Sequence, residues 1–155
     1  MHDWQTGMAE ALGCVSLGVE TDQELVSSLV DAAFTCITHN DANIVASMRR
    51  GEWMPGTELA QRGYALEFAA LSVPGAKVRA RVDLVAHKVW VDGEMVVALA
   101  RSLSLSWGKT CSEEVALQAI LAHELFHVLQ PEAQGRTAEA AAHLFVWRWL
   151  GWVLG

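Results

Sequence analysis

Residues 123 to 127 read His-Glu-Leu-Phe-His, two imidazoles four positions apart with a carboxylate directly after the first. On an α-helix, residues at that spacing stand one turn apart on the same face, so His123 and His127 reach toward one point while Glu124 projects beside them. Two imidazoles so placed are a ligand pair for zinc, and the neighbouring carboxylate is placed to take a proton from water activated there. Apart from Gln118, the rest of the run from Val115 to Leu129 is Val, Ala, Leu, Ile and Phe. In such a helix two imidazoles and a carboxylate carry a desolvation cost that a bound metal removes and plain packing does not.

Catalytic zinc takes three protein ligands and leaves a fourth position open, so one more donor is required. Glu139 and His143 share a face of the last predicted helix, which Val146, Leu150 and Val153 extend toward the core. If that helix packs antiparallel to the motif helix across the turn Pro131 to Arg136, Glu139 falls near His127 and His143 opposite His123. Glu139 is then the third ligand and His143 a group supporting the ligands from behind, or the reverse; the carboxylate nearer the turn has the better reach. The longer metzincin signature fails, because positions 130 and 133 are Gln130 and Ala133.

The elements that must carry these residues follow from periodicity and punctuation. Thr21 with Glu24 forms a capping box for a helix over 22–38, and a weaker helix covers Asp3 to Leu12. A turn at Asn40 to Asn43 precedes a short helical piece ending near Arg50, and Gly51 to Gly56 is a loop. Thr57 is expected to cap a helix running to about Leu71. After the break at Val73-Pro74-Gly75, the segments Lys77 to Ala86 and Lys88 to Asp92 read as short strands, joined around His87 as a hairpin or bent strand. Glu94 to Ser106 reads as a helix ending at Trp107-Gly108, Ser112 caps the motif helix, Pro131 ends it, and Thr137 caps a last helix to about Val153. The N-terminal helices thus occupy about 1–72 and the strands and active-site helices about 77–155. On the strand segment, Arg79, Arg81 and Asp83 alternate; they could flank a substrate cleft, but charged residues at alternate strand positions read first as a solvent face, and no role is assigned to them. Tyr64 reads as a packed helical tyrosine, and His39 and His87 as surface or turn residues.

The chain has 155 residues, enough for a single domain with a real core. A net charge of -7 with only 11 Lys and Arg argues against a nucleic-acid partner. Cys14, Cys36 and Cys111 are three in number and lack CxxC spacing, which suits reduced thiols in the cytoplasm. The N-terminal MHDWQTGMAE carries no secretory pattern, and the apolar stretch Ala140 to Leu154 is short for a membrane span and holds His143 and Arg148.

HELFH followed by Glu139-Ala140-Ala141-Ala142 and then Phe145 resembles the gluzincin arrangement of zinc peptidases. Within these it most resembles the small IrrE/ImmA-like group, whose HExxH is followed by E-x-x-A with an aromatic three positions later. The resemblance covers about Ala80 to Leu150. It implies that His123, His127 and Glu139 hold Zn2+, that Glu124 is the general base, and that the fold is a mostly helical α+β, minimal zincin-like domain with a small sheet beside the motif helix. The expected activity is hydrolysis of peptide bonds in a protein or peptide substrate, with an extended peptide adding to a strand edge at Arg81 to Ala86. The alternative is a catalytically weak or inactive zincin-like binding or regulatory module. There the tryptophans of the last helix, Trp147, Trp149 and Trp152, would meet a partner protein or a second copy.

Overall fold

The computed structural model describes residues 22–155. The expected helix at Asp3 to Leu12, the Thr21 cap and Cys14 lie outside the described residues. Six helices and three strands follow: α1 Gln23–Thr38, α2 Ala42–Arg49, α3 Pro55–Gln61, β1 Ala65–Phe68, β2 Ala80–Asp83, β3 Lys88–Val91, α4 Gly93–Trp107, α5 Glu113–Leu129 and α6 Gly135–Leu154. This is the mostly helical α+β architecture expected from the sequence.

Side chains set most helix starts. Asp22 Oδ1 accepts from the amides of Glu24 and Leu25 to open α1, and Asp41 does the same for α2 through Asn43 and Ile44. Ser112 Oγ accepts from Val115 N at 3.1 Å and starts α5 where expected, with Glu113 and Glu114 in its positive first turn. Two starts differ from expectation. Pro55, not a Thr57 cap, opens α3, and α6 begins at Gly135, ahead of Thr137 and without a side-chain cap.

The helix expected from Thr57 to Leu71 stops at Gln61. Gly63 takes a left-handed φ of 86°, its amide donates to Ala60 O, and Tyr64 N reaches back to Leu59 O at 3.0 Å. That pair of bonds is a Schellman closure, which glycine forms without steric penalty. The chain reverses, and Ala65–Phe68 becomes a third strand paired parallel to β3, with Ala65 opposite Lys88 and Phe68 opposite Val91. Tyr64 is therefore not helical; its ring stacks on His87 at 4.7 Å.

The sheet order is β1-β3-β2, with β2 antiparallel to β3 from Ala80 opposite Val91 to Asp83 opposite Lys88. The strand expected to reach Ala86 ends at Asp83, because Asp83 Oδ1 accepts from the amides of Val85 and Ala86 and bends residues 84–87 into a turn closed by His87 at φ 54°. Val89 and Val91 of β3 are buried toward the helices. The opposite face carries Glu67, bonded to Lys88 Nζ and Trp90 Nε1, and Arg81, which lies 5.4 Å from the Trp90 ring centre.

Helix α5 is apolar on nearly every side and sits centrally, packed against α3, α4 and α6, while α1 covers α6. Phe126, Phe145, Leu125 and Leu150 are fully buried between α5 and α6 and their neighbours. The three tryptophans of α6 are engaged within the chain. Trp149 is fully buried and its Nε1 donates to Trp53 O, Trp152 meets Phe34 edge-on, and Trp147 packs on Trp107. No helix among the described residues is long and apolar enough to cross a membrane.

Candidate metal centre

The motif lies wholly within α5, so its helical register is realised. The Nε2 atoms of His123 and His127 stand 3.3 Å apart. Helix α6 runs back along α5 after the short 130–134 turn, and its second turn brings Glu139 to both rings. Glu139 Oε2 is 3.2 Å from His123 Nε2, and Oε1 is 3.1 Å from His127 Nε2. The expected antiparallel placement is thus met: Glu139 reaches the far end of α5, and the ring of His143, one turn on, packs against that of His123 at 5.2 Å.

These separations bear on whether a metal fits. A tetrahedral ion with bonds of about 2.0–2.1 Å sets its ligand atoms roughly 3.3–3.4 Å apart, close to the spacing of the two imidazole nitrogens and the carboxylate. His123, Glu139 and His143 form a looser set whose ligand atoms all lie within 4.8 Å of one another. Both sets share His123 and Glu139. The tighter contacts favour His127 over His143 as the remaining ligand.

The electrostatics suit this division. Hydrogen bonds from His123 and His127 hold the Glu139 carboxyl well below the usual carboxylate range, outweighing its partial burial. At His127 burial opposes the cation, but the hydrogen bond and charge of Glu139 together prevail and raise its pKa. His143 is pushed down to about 4, first by burial and then by the nearby His123, so it is a neutral imidazole at neutral pH. Glu124 is only 8% exposed, and burial raises its pKa against the opposing pull of His123 and His127. A carboxylate displaced toward neutrality beside a metal-ligand pair has the character of a general base.

Beside these residues opens a cleft of about 190 Å³ lined by His123, Glu124, Glu139 and His143 on the helical side. Its other wall is the chain entering β2, with Lys77, Arg79 and Ala80. Arg79 thus departs from the solvent-face expectation. It precedes the β2 ladder, its Nε atom is buried, and its carbonyl is fixed by Asp92 N at 2.9 Å. Arg81 and Asp83, by contrast, serve the outer sheet face and the turn. The alternation of charged residues gave no sign of this difference, because the strand begins one residue after Arg79.

Compared with protein-family models, with curated proteins and with solved structures, the chain matches none.

Proposed function

We propose that this protein is a zinc-dependent peptidase that hydrolyses peptide bonds of a protein or peptide substrate. The reading is carried by one observation: two imidazole nitrogens from α5 and both carboxylate oxygens of Glu139 from α6 converge at 3.1–3.3 Å. His123, His127 and Glu139 are the residues that would hold the ion, which when bound supplies a Lewis acid and water acidified toward neutrality. Glu124, beside the cluster and lining the cleft, takes the proton of the attacking water and delivers it to the departing amine. In the metal-free site Glu139 is ionised, because its two histidine contacts favour the anion, and an anionic carboxylate is the form that would hold the ion. His143 stays neutral against the His123 ring and leaves the charge of the site to the other residues. Among the described residues the outer edge of β2 is unpaired, and its first residue, Ala80, borders the cleft, so an extended peptide can add there as a further strand. Among the described residues Cys36 and Cys111 form no disulfide, which is compatible with the cytoplasmic setting proposed for the chain.

The decisive experiment combines metal analysis with Glu124→Gln. The purified protein is expected to carry zinc and to cleave members of a peptide library, and the variant to keep zinc while losing cleavage by about 10²–10⁴-fold. A protein that binds no zinc, or that binds it and leaves every peptide intact, contradicts the proposal.

A further inference from the structure

We infer that the substrate presents a carboxylate next to the scissile bond and that Arg79, assisted by Lys77, is the residue that binds it. This deepens the peptidase reading and rests on it for the position of the scissile bond.

Lys77 and Arg79 face His123, Glu124 and Glu139 across the same cleft. Neither cation forms an ion pair among the described residues, whereas Arg50, Arg62 and Arg148 pair with Glu52, Glu58 and Asp31. Arg81 is also engaged, over Trp90. Arg79 Nε is buried and has no hydrogen-bond partner among the described residues. Its side chain lines the cleft, and a guanidinium there with no carboxylate partner among the described residues is suited to an acceptor that comes with a ligand.

The main chain of Arg79 is not loose. Its carbonyl accepts from Asp92 N, and the Asp92 side chain is a hub that starts α4 through Glu94 N and ties down Leu71 N and Ser72 N at 3.1 and 3.2 Å. The guanidinium is therefore delivered from an anchored backbone, which favours a positioning role over that of a mobile surface charge.

The charge balance selects the sign of the ligand. The chain as a whole carries -7, yet two cations meet two carboxylates at this cleft. A divalent ion at the histidine pair offsets Glu124 and Glu139 and leaves Lys77 and Arg79 uncompensated, so the loaded cleft attracts anions. A guanidinium fork matches a carboxylate with two parallel hydrogen bonds. Peptides carry that group in two forms, an Asp or Glu side chain and a free C-terminus.

The test begins with binding, which does not depend on turnover. The zinc-loaded protein is titrated calorimetrically with succinic acid monohydroxamate and with its primary amide, which share a metal-chelating end and differ in the charge at the other. The acid is expected to bind on the order of tenfold more tightly. Arg79→Gln should abolish that preference while leaving the affinity for the amide in place; Arg79→Lys, which keeps the charge without the fork, should retain part of it. The second arm compares kcat/KM for peptides with an internal Glu or Gln and with a free or amidated C-terminus. Preference within the first pair assigns the side chain, and within the second the chain end; either supports the inference when Arg79→Gln removes it. Equal binding of the two hydroxamates by the unmodified protein, or binding of neither, overturns it. So does an equal loss for acid and amide in Arg79→Gln, which would instead mark a group acting on any substrate. A carboxylate preference in binding with no cleavage of any peptide upholds the Arg79 site and removes the peptidase reading instead.

Discussion

His123 and His127 present their Nε2 atoms to each other at 3.3 Å, and each faces a different oxygen of Glu139. Hydrogen bonds to the carboxylate hold this arrangement in the metal-free protein, and the same three donors are spaced for a shared cation. The fold brings the three donors together from two helices, so binding an ion also ties α5 to α6.

Metal removal should therefore lower stability. At free zinc about 100-fold above its dissociation constant, binding adds roughly 2.7 kcal/mol, which for a domain of this size is roughly 5–10 °C in Tm. Thermal scans with zinc and with a chelator test this directly. His127→Ala is expected to melt at one temperature under both conditions. Coincident curves for the unmodified protein would mean that the three donors hold no ion.

Much of this centre was legible in the sequence, and the reasons are specific. The HELFH spacing has meaning only on a helix, and Ser112 and Pro131 bound one. The short turn to Gly135 leaves α6 little choice but to return along α5, which brings Glu139 to the imidazoles. β1 was hidden because Thr57 to Leu71 contains enough apolar residues at helical spacing to suggest continuity. Gly63 carried the contrary signal, since a glycine just past Arg62 fits the left-handed closure seen there. The placement of Arg79 at the cleft was one of two readings the sequence allowed, and the solvent face took precedence because side-chain alternation depends on where the β2 ladder begins, which no residue type marks.

Acidification should weaken the metal-free fold through His143. Its imidazole titrates at about 4 in the protein against 6.5 ordinarily. Between these values the unfolded chain binds a proton that the folded chain refuses, so stability falls as pH drops from 6.5 to 4, by about 3 kcal/mol. Glu139 acts in the same direction: its depressed pKa gives stability that is present above 4.5 and is lost as pH falls. His127 acts oppositely, since its raised pKa stabilises fully below 6.5 and fades as pH rises past the folded value. Urea titrations of the chelated protein between pH 7.5 and 4 isolate the first effect by comparison with His143→Leu. The stability difference between the two proteins should shift by about 3 kcal/mol across that range. Parallel profiles would show that the imidazole titrates normally in the fold.

Trp149 should behave as a core residue. It is fully buried, and its indole nitrogen donates to Trp53 O at 3.3 Å, joining α6 to the loop before α3. Trp149→Phe loses that bond and some volume, for roughly 1–2 kcal/mol. Trp149→Ala should cost roughly 3–5 kcal/mol. A Trp149→Ala protein that unfolds at the same urea concentration as the unmodified chain would point to a surface role for this side chain.

Gly56 and Gln118 set the spacing between α3 and the motif helix. Gly56 N donates to Gln118 Oε1 at 2.8 Å, and Gln118 Nε2 donates in turn to Glu114 Oε1 at 3.0 Å. A Cβ on Gly56 would stand 3.0 and 3.1 Å from the two amide atoms of Gln118 and 3.1 Å from Leu121 Cδ1. The amide cannot swing away cheaply, because Gln118 is buried and releasing it would leave the Gly56 amide and its own polar atoms short of partners. Crowding of this kind costs about 1–3 kcal/mol, against the roughly 1 kcal/mol that alanine gains over glycine in a helix. Gly56→Ala is therefore expected to destabilise by up to about 2 kcal/mol alone and to cost less once Gln118→Ala removes the obstructing amide and leaves only the Leu121 contact. Urea unfolding of both single variants and the double variant measures that coupling. If Gly56→Ala destabilises equally in both backgrounds, the close approach of α3 to α5 does not depend on this pair.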